Sequence, residues 1–452
     1  MFIVEQKKTY LCLAHMSGNE MRYINEAFET NWVVPLGPNV NAFESELARF
    51  IQSKNTAWAD ERPYPQSIEP LENDPERLWP ERFPQLAGKQ VVALSSGTAA
   101  VHLALIALGV RQGDEVICQS FTFCASSNPV KYLGATPVFI DSEADTWNMD
   151  PQLLEEAIND RIQKTGSKPK AIIVVYLYGM PAKIDEIARI AQKYGIPLVE
   201  DAAEGLGSRY DGQVVGTFGE YGVMSFNGNK MITTSGGGAL ICPDEASRDR
   251  VMFFATQARE AYPYYQHEEI GYNYRLSNVC AGIGRGQLTV LDAHVARHRR
   301  IARLYEEGFK GLEGIVLHVN PDSRCDSNYW LNAITIDPAV RVKGEENAYT
   351  HAVKGAVGGA AGVVHATGQA HTDCEPNTNV EAMRLALDKA GIESRPLWKP
   401  MHKQPAYEGC PAYVNGVSEN LFKRGLCLPS GPMVSDEDVD SVIRAIRQGI
   451  LV

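Results

Sequence analysis

The chain has 452 residues, of which 44% are hydrophobic, and its formal net charge is −12. This length and composition predict a large α/β domain with a smaller one and exclude a disordered chain. The negative charge disfavours nucleic acid and anionic membranes as partners, so any bound phosphate needs a local binding device.

The N-terminus and the cysteines give an expectation about location. The first residues, MFIVEQKKTYLCLAHMSGNE, carry charges within what would be the apolar stretch of a leader. No apolar run approaches the roughly 20 residues that a membrane helix needs. The nine cysteines form no CxxC pair and no metal-like cluster. We therefore expect a cytoplasmic protein with reduced thiols and no metal site.

The N-terminal region is predicted to form two helices followed by a long loop. Residues 19–52 have apolar positions three and four apart on both sides of a Pro/Gly turn, which is typical of helix, turn, helix. Residues 53–89 contain six prolines between Pro63 and Pro84, among many charged residues. This composition indicates an insertion that lies outside the core.

From Val91 onwards, apolar strands alternate with amphipathic helices. The predicted strands are VVALSS, EVICQS, PVFID, KAIIVVYLYG, IPLVEDAA, YGVMSF and GALIC. The predicted helices are GTAAVHLALIALGV, NPVKYLGA, PQLLEEAIND and IDEIARIAQKYG. This pattern indicates a mostly parallel sheet of seven strands between helices. In such sheets, ligands bind beyond the carboxyl ends of the strands.

The C-terminal region is predicted to be a smaller α+β domain. Residues 287–312 have the pattern of one long helix leading into it, and its further elements are YWLNAITI, EAMRLALDKAG, LCLPS and DEDVDSVIRAIRQGI. Residues 340–376 include GAVGGAAGVVHATGQAHTD, which has little helical or strand period, so we expect an insertion. The predicted domains are thus residues 1–290 and residues 291–452.

The turn after the first predicted strand can bind an anion. In SSGTAAVHLAL, the residues Ser95, Ser96, Gly97 and Thr98 lie between a strand and a helix. Free N–H groups at a helix start, beside a hydroxyl group, form a binding site for phosphate. An ordinary strand-to-helix turn capped by Thr98 explains the same residues.

Two further segments carry charged residues where a cofactor would need them. Asp201 ends the strand in VEDAAEGLGS, where it could pair with the protonated nitrogen of a pyridine ring. An N-cap at Asp201 with Glu204 in a capping box fits equally. Lys230 follows Ser225 in SFNGNKMITTSGGGAL, and this lysine could form a Schiff base while Ser225 binds a phosphate. A solvated surface lysine is the alternative.

Three further residues are candidates for stacking on a ring or for binding a second anion. Phe123 in SFTFCASSNPV could stack on a ring, although most such phenylalanines belong to the core. Asn273 and Arg275 in GYNYRLS could serve a phosphate or a partner subunit. Both are equally explained as ordinary loop residues.

The order of these features resembles that of the DegT/StrS family of sugar aminotransferases, which are pyridoxal phosphate enzymes of fold type I. The resemblance covers roughly residues 16–336 and 378–450. Its most specific stretches are SFNGNK and VEDAA. It implies an α/β fold with a large and a small domain, and pyridoxal 5′-phosphate as the cofactor.

The resemblance also implies roles for residues at matching positions. Lys230 would bond to the cofactor aldehyde and shuttle the substrate proton, Asp201 would pair with the pyridine nitrogen, and Phe123 would stack on the ring. Asn273 matches a residue that reaches the phosphate of the neighbouring subunit, which implies a homodimer with shared active sites. Glu204 stands where many relatives have Gln or His, and a carboxylate there could contact the ring oxygen. The implied phosphate site consists of Gly97, Thr98, Ala99 and Ser225.

Within the family, four stretches are most similar to enzymes that aminate C4 of UDP-4-keto-6-deoxy-N-acetylhexosamine, in the route to N-acetylbacillosamine. These stretches are NWVVPLGPN, FNGNKMITTSGGG, SRPLWKPMHKQP and GLCLPSG. L-Glutamate would be the amino donor. Arg395 and His402 in SRPLWKPMH are candidates for substrate contacts, and a salt bridge in a surface loop explains them equally.

Three other functions fit parts of the pattern. A dehydratase of the same family lacks the Schiff-base lysine, so Lys230 argues against it. A non-catalytic regulator on the same fold would not need the full set of site residues. A Rossmann oxidoreductase would carry GxGxxG after its first strand, where SSGTAA stands instead. The nucleotide base and the aminated carbon, C3 or C4, depend on loop residues that the pattern does not place.

Overall fold

A computed structural model describes residues 8–53, 86–348, 356–359, 362–365 and 374–451. The α-helices are α1 (Glu20–Glu29), α2 (Pro38–Ile51), α3 (Gly97–Ala107), α4 (Asn128–Tyr132), α5 (Pro151–Thr165), α6 (Ile184–Tyr194), α7 (Glu245–Ala255), α8 (Asn278–Leu288), α9 (Leu291–Phe309), α10 (Thr378–Lys389), α11 (Val417–Arg424) and α12 (Asp436–Gly449). Short 3₁₀ helices are Cys124–Ser126, Leu177–Gly179, Glu345–Asn347, Met401–Lys403 and Pro405–Tyr407.

The strands alternate with these helices through the first two thirds of the chain. They are β1 (Gln90–Leu94), β2 (Glu115–Gln119), β3 (Thr136–Ile140), β4 (Ala171–Val175), β5 (Leu198–Asp201), β6 (Arg209–Tyr210), β7 (Gln213–Val214), β8 (Tyr221–Ser225), β9 (Gly238–Cys242), β10 (Ile315–Leu317), β11 (Cys325–Asp326), β12 (Asn332–Ile336), β13 (Ala356–Gly359), β14 (Gly362–His365), β15 (Arg395–Pro396), β16 (Ala412–Tyr413) and β17 (Gly425–Leu428).

The main sheet has the strand order β1-β9-β8-β5-β4-β2-β3-β16. Only β9 runs antiparallel to its neighbours. Successive side chains of β2, Val116 and Ile117, are fully buried in different apolar clusters, because a parallel sheet covered on both faces buries both sets of side chains. The predicted α/β fold with a mostly parallel sheet is confirmed, with β16 as an eighth strand beyond the seven predicted.

The C-terminal part builds a second, antiparallel sheet in the order β10-β12-β17-β15. Residues of α9, α10 and α12 pack with these strands in a separate apolar cluster. The chain then returns to the main sheet, because β16 pairs with β3. The domain boundary at residue 290 stays a prediction.

The structure differs from the predicted elements at two places. The long helix predicted for residues 287–312 is confirmed as α9, but it begins only at Leu291, because α8 and α9 are separated at Thr289 and Val290. The Thr289 hydroxyl donates to the Gly286 carbonyl at 2.6 Å, and Val290 leaves the helical region with φ of −115°. Part of the Gly/Ala-rich run forms the antiparallel hairpin of β13 and β14, where we expected no regular strand.

Other expectations fall largely outside the described residues. Most of the insertion predicted at residues 53–89 lies outside the described residues, from residue 54 to residue 85.

Within the part of the chain that the structure describes, no helix combines the length and the apolar character needed to cross a membrane. The same part contains no cluster of potential metal ligands.

Candidate active site

A cavity of about 870 Å³ lies at the carboxyl ends of β2, β4, β5 and β8. Residues next to β12 and in β15 contribute its opposite wall, so both sheets form the site. Most of the predicted site residues line this cavity, namely Gly97, Thr98, Phe123, Asp201, Glu204, Ser225, Lys230 and Arg395. Ala99, Asn273 and His402 are not among the lining residues.

The start of α3 lies against the end of β8. The Ser96 hydroxyl caps the helix by accepting from the Ala99 N–H at 3.0 Å, so the alternative in which Thr98 is the cap is wrong. A Cβ on Gly97 would lie only 3.1 Å from Ser225 Cβ, and one on Gly238 only 2.5 Å from the Gly97 nitrogen. The glycines thus bring a helix N-terminus beside a serine hydroxyl, and this arrangement suits a phosphate.

Asp201 is held rigidly at the end of β5. Its carboxylate accepts from the Ser126 hydroxyl at 2.6 Å and from the Ala203 N–H at 3.1 Å. Burial raises the pKa of this carboxyl, and the hydrogen bonds and the charge of Lys230 oppose the rise. A buried carboxylate fixed in this way can keep a pyridine nitrogen protonated.

Lys230 forms an ion pair inside the cavity. Its Nζ donates to Glu204 Oε1 at 2.9 Å, and only 14% of the lysine side chain is exposed. The solvated surface lysine is therefore excluded. The second oxygen of Glu204 accepts from the Tyr178 N–H at 2.8 Å. Burial raises the pKa of Glu204, whereas the neighbouring Lys230 lowers it.

Trp330 covers the other side of the Lys230 amine. The indole ring centroid lies 4.0 Å from Nζ, within the range of a cation–π interaction. The indole N–H donates to the Asn229 carbonyl at 2.7 Å. The buried Asn328 links Trp330 to Glu204. Its side chain accepts from the Trp330 backbone N–H at 2.8 Å and donates to the Glu204 backbone carbonyl at 2.7 Å.

Trp330, Trp398 and Asn328 were not predicted from the sequence. Trp330 lies in the short loop before β12, and Trp398 lies just after β15. Neither segment has the glycine-rich or hydroxyl-rich pattern that marks the other site loops. The only available signal was the presence of two tryptophans at the edges of short strands.

Arg395 lies in the cavity wall beside a carboxylate. Its guanidinium is 2.9 Å from Glu393 Oε1, and the second oxygen of Glu393 accepts from the Leu11 N–H at 3.3 Å. His402 lies elsewhere, with its ring nitrogens 2.6 Å from Ser120 Oγ and 3.3 Å from Glu419 Oε1. His402 therefore connects the loop after β15 to the end of β2.

Asn273 and Arg275 are separated from the cavity. Asn273 is exposed and forms an isolated bridge with Thr256. Arg275 is engaged within the chain, since its guanidinium lies 2.6 Å from Glu44 and donates to the Ala93 carbonyl at 2.9 Å. Asn273 thus does not line the cavity of its own chain.

The lining residues suit pyridoxal phosphate. Lys230 offers an amine for its aldehyde, and Asp201 offers a buried acid for its ring nitrogen. Phe123 presents an aromatic face that is 54% exposed, and the start of α3 with Ser225 provides a phosphate cradle. All of these residues face one cavity.

Comparison with known proteins agrees with this site. The DegT/DnrJ/EryC1/StrS aminotransferase family matches residues 79–357 and 359–447. The protein EpsN of Bacillus subtilis (strain 168), whose name assigns it provisionally to the pyridoxal phosphate-dependent aminotransferases, is 42% identical over 97% of this chain and 95% of its own. The GDP-perosamine synthase of Escherichia coli O157:H7 is 32% identical over 96% of both chains.

A solved structure also shares the fold. A DegT DnrJ EryC1 StrS aminotransferase from Brucella abortus superposes with a TM-score of 0.74 and 26% identity, covering 95% of both chains. These matches extend over nearly the whole chain and include both sheets. The chain therefore belongs to the DegT/DnrJ/EryC1/StrS aminotransferase family, and it is a sugar aminotransferase with pyridoxal phosphate as its cofactor.

Proposed function

We propose that this protein transfers the amino group of L-glutamate to C4 of UDP-2-acetamido-2,6-dideoxy-hexos-4-ulose, for bacterial glycan biosynthesis. The observation that carries the proposal is the placement of Lys230 in one cavity with Asp201 and the α3 start. The cavity volume, about 870 Å³, falls within the range of small-molecule sites, roughly 300–1,000 Å³. The choice of UDP and C4 rests on the resemblance of the four stretches described above.

The side chains divide the chemistry among them. When bound, pyridoxal phosphate supplies an aldehyde for the amino group and a ring that withdraws electrons. Lys230 Nζ takes the proton from Cα of the donor and returns it on the acceptor side. Asp201 holds the proton on the ring nitrogen, and Phe123 packs against the ring face.

Neighbouring groups hold the anionic parts and the amine. The N–H groups at the start of α3, at Gly97, Thr98 and Ala99, bind the phosphate together with Ser225. The Ala99 N–H also has Ser96 as an acceptor, at 3.0 Å, so it contributes through a shared hydrogen bond. Glu204 keeps the Lys230 amine in the cavity when it is not bonded to the cofactor.

The two substrates use the same residues in turn. L-Glutamate leaves its amino group in the site, takes its keto oxygen from water and departs as 2-oxoglutarate. The keto sugar then loses its C4 oxygen as water, takes up this amino group and leaves as the amino sugar. Arg395 is a substrate contact in this proposal, because its guanidinium borders the cavity and suits a carboxylate or a phosphate. His402 contributes by holding the adjacent loop.

We also propose a cytoplasmic homodimer with shared sites. The exposed side of α1 and the loop after it carry large apolar side chains, namely Met21, Phe28, Trp32, Val33, Val34 and Leu36. Apolar surface of this kind marks a protein–protein contact. Asn273, exposed and away from its own cavity, then completes the phosphate site of the second subunit.

A reaction panel tests the substrate. The purified protein would be incubated with L-glutamate and UDP-, GDP- or dTDP-linked 4-keto sugars, and 2-oxoglutarate would be followed. We expect the UDP-linked 2-acetamido sugar to react fastest, and the product's NMR spectrum to place nitrogen at C4. The similarity to a GDP-perosamine synthase favours a GDP-linked sugar as the second candidate. Faster reaction with that sugar, or no reaction of the UDP-linked 4-keto sugar, would contradict the proposal.

A further inference from the structure

Trp398 lines the cavity but has no role in the proposed reaction. The aromatic side chains among the described lining residues are Phe123, Trp330 and Trp398. Phe123 is proposed for the cofactor ring, and Trp330 covers the Lys230 amine. The Trp398 ring centroid lies 5.5 Å from that of Phe123 and 6.5 Å from that of Trp330. Trp398 therefore adjoins both groups and borders the place where Lys230 acts.

The position of Trp398 is fixed from two sides. Its backbone N–H donates to the Tyr178 hydroxyl at 3.0 Å, and the two ring centroids are 5.1 Å apart. The preceding Leu397 donates its N–H to the Gly425 carbonyl at 3.2 Å. Because Leu397 packs directly onto Gly425, a Cβ there would lie 2.1 Å from it. An aromatic face held in this way loses little conformational freedom when a ligand binds.

The chemistry of the two substrates indicates which one this face binds. L-Glutamate carries two carboxylates, and burying these negative charges against an indole face without hydrogen bonds is unfavourable. A pyranose ring has an uncharged C–H face that can pack against an aromatic ring. We infer that Trp398 packs against the pyranose ring of the nucleotide sugar and determines acceptor specificity, an inference that rests on the proposed function.

The neighbouring cation is consistent with the same ligand. Arg395 precedes Trp398 by three residues and lines the same cavity. The segment from β15 to Trp398 thus presents a guanidinium and an indole to one ligand. A nucleotide sugar has a matching pair of groups, because its diphosphate is bonded directly to the pyranose.

Binding measurements with paired ligands test the inference. Calorimetry would compare UDP with UDP-N-acetylglucosamine on the cofactor-loaded wild type, Trp398→Ala and Trp398→Phe, and GDP with GDP-mannose in the same way. We expect Trp398→Ala to weaken binding of the nucleotide sugar roughly tenfold or more, since tryptophans are common binding hot spots. The bare nucleotide should change less than about threefold. Trp398→Phe should recover most of the sugar affinity, because it keeps an aromatic face.

The donor half of the reaction provides the internal control. Release of 2-oxoglutarate from L-glutamate, measured in a single turnover without sugar, should fall much less in Trp398→Ala than the affinity for the nucleotide sugar does. Equal weakening of UDP and UDP-N-acetylglucosamine binding, or a loss of 2-oxoglutarate release as large as the loss of sugar affinity, would overturn the inference by showing a general structural role.

The same set of proteins separates this inference from the proposed function. A wild type that aminates no nucleotide keto sugar contradicts the proposed function. A wild type that does so, combined with unchanged UDP-N-acetylglucosamine and GDP-mannose binding in Trp398→Ala, contradicts only the role of Trp398.

Discussion

Asp201 shows that a residue proposed for catalysis can lower the stability of the fold. Its carboxyl is 5% exposed and is hydrogen-bonded to Ser126 and Ala203. Because burial raises its pKa, the carboxylate form that catalysis needs is disfavoured by the fold itself. This is expected where a charged group is kept for function.

Asp201→Asn should therefore separate activity from stability. We expect turnover to fall about 10²–10³-fold, the range seen when one preorganised electrostatic group is lost, with the cofactor still bound. The cofactor-free variant should have a higher melting temperature than cofactor-free wild type at pH 8, because the buried charge is gone.

The difference in melting temperature between Asp201→Asn and wild type should depend on pH in a defined direction. A carboxyl with a raised pKa in the folded state destabilises the protein above that pKa, and the penalty disappears as the pH falls through it. The melting temperatures of variant and wild type, measured by calorimetry from pH 8 downwards, should therefore converge in acid. A lower melting temperature for the variant at pH 8 would contradict the account.

The site residues differ in how far sequence alone could identify them. Asp201 and Lys230 were predictable because each follows an apolar strand or a glycine-bearing turn. Trp330 and Trp398 were not, since each reaches the cavity from a distant segment with no local pattern. His402 was predicted as a substrate contact because it lies in SRPLWKPMH, a stretch that carries the resemblance. The structure instead places it against Ser120 and Glu419.

Among the elements, α3 determines where a phosphate can bind. Its first turn packs against β8 and β9 at a distance that only glycine permits at residue 238 and that is tight for any other residue at position 97. The approach brings the helix N–H groups and Ser225 together, and neither group would form an anion site as effectively by itself.

Gly238→Ala should weaken cofactor binding through this element. The added Cβ would lie 2.5 Å from backbone atoms of Ser96 and Gly97, which forces the helix start away from Ser225. Overpacking of this kind costs about 1–3 kcal/mol, so we expect roughly a tenfold or greater loss of cofactor affinity. Fluorescence titration with pyridoxal phosphate measures it.

Gly228→Ala is the matched control, because its Cβ would meet no atom within 4 Å. Its cofactor affinity and melting temperature should equal those of wild type. Equal affinities for the two variants would show that the helix position does not govern phosphate binding.

Elements were predictable where the chain has a clear period. The apolar runs of β2 to β5, β8 and β9 identify the core strands of the sheet. The strand β16 was missed because two residues carry no period. The break between α8 and α9 was missed because Thr289 and Val290 interrupt the helical hydrogen bonds without a proline or glycine signal.

At the scale of the whole molecule, the account requires two chains for each working site. The apolar surface of α1 and the exposed Asn273 lie outside the cavity of their own chain. The family resemblance predicts a homodimer through Asn273, whereas within a single chain both features look like ordinary surface residues.

Mixing two defective subunits tests this association. Lys230→Ala lacks the amine, and Asn273→Ala should bind the cofactor weakly because one phosphate contact is missing. A mixed dimer has one intact site, so random mixing should restore about a quarter of wild-type activity at limiting cofactor. Light scattering should give twice the 49.7 kDa chain mass.

Two outcomes would contradict shared sites. One is a mixture whose activity does not exceed that of the two variants measured separately, although the subunits have exchanged. The other is a monomeric mass at working concentrations. Tagging one variant and recovering the untagged chain with it controls for exchange itself.

The covalent attachment of the cofactor tests the central claim most directly. The holoenzyme would be reduced with borohydride, digested and mapped by mass spectrometry. The account predicts one cofactor-modified peptide, with the modification on Lys230, and no covalent cofactor in Lys230→Ala. A modification on another lysine, or a wild type that stays colourless and unmodified after pyridoxal phosphate is supplied, would contradict it.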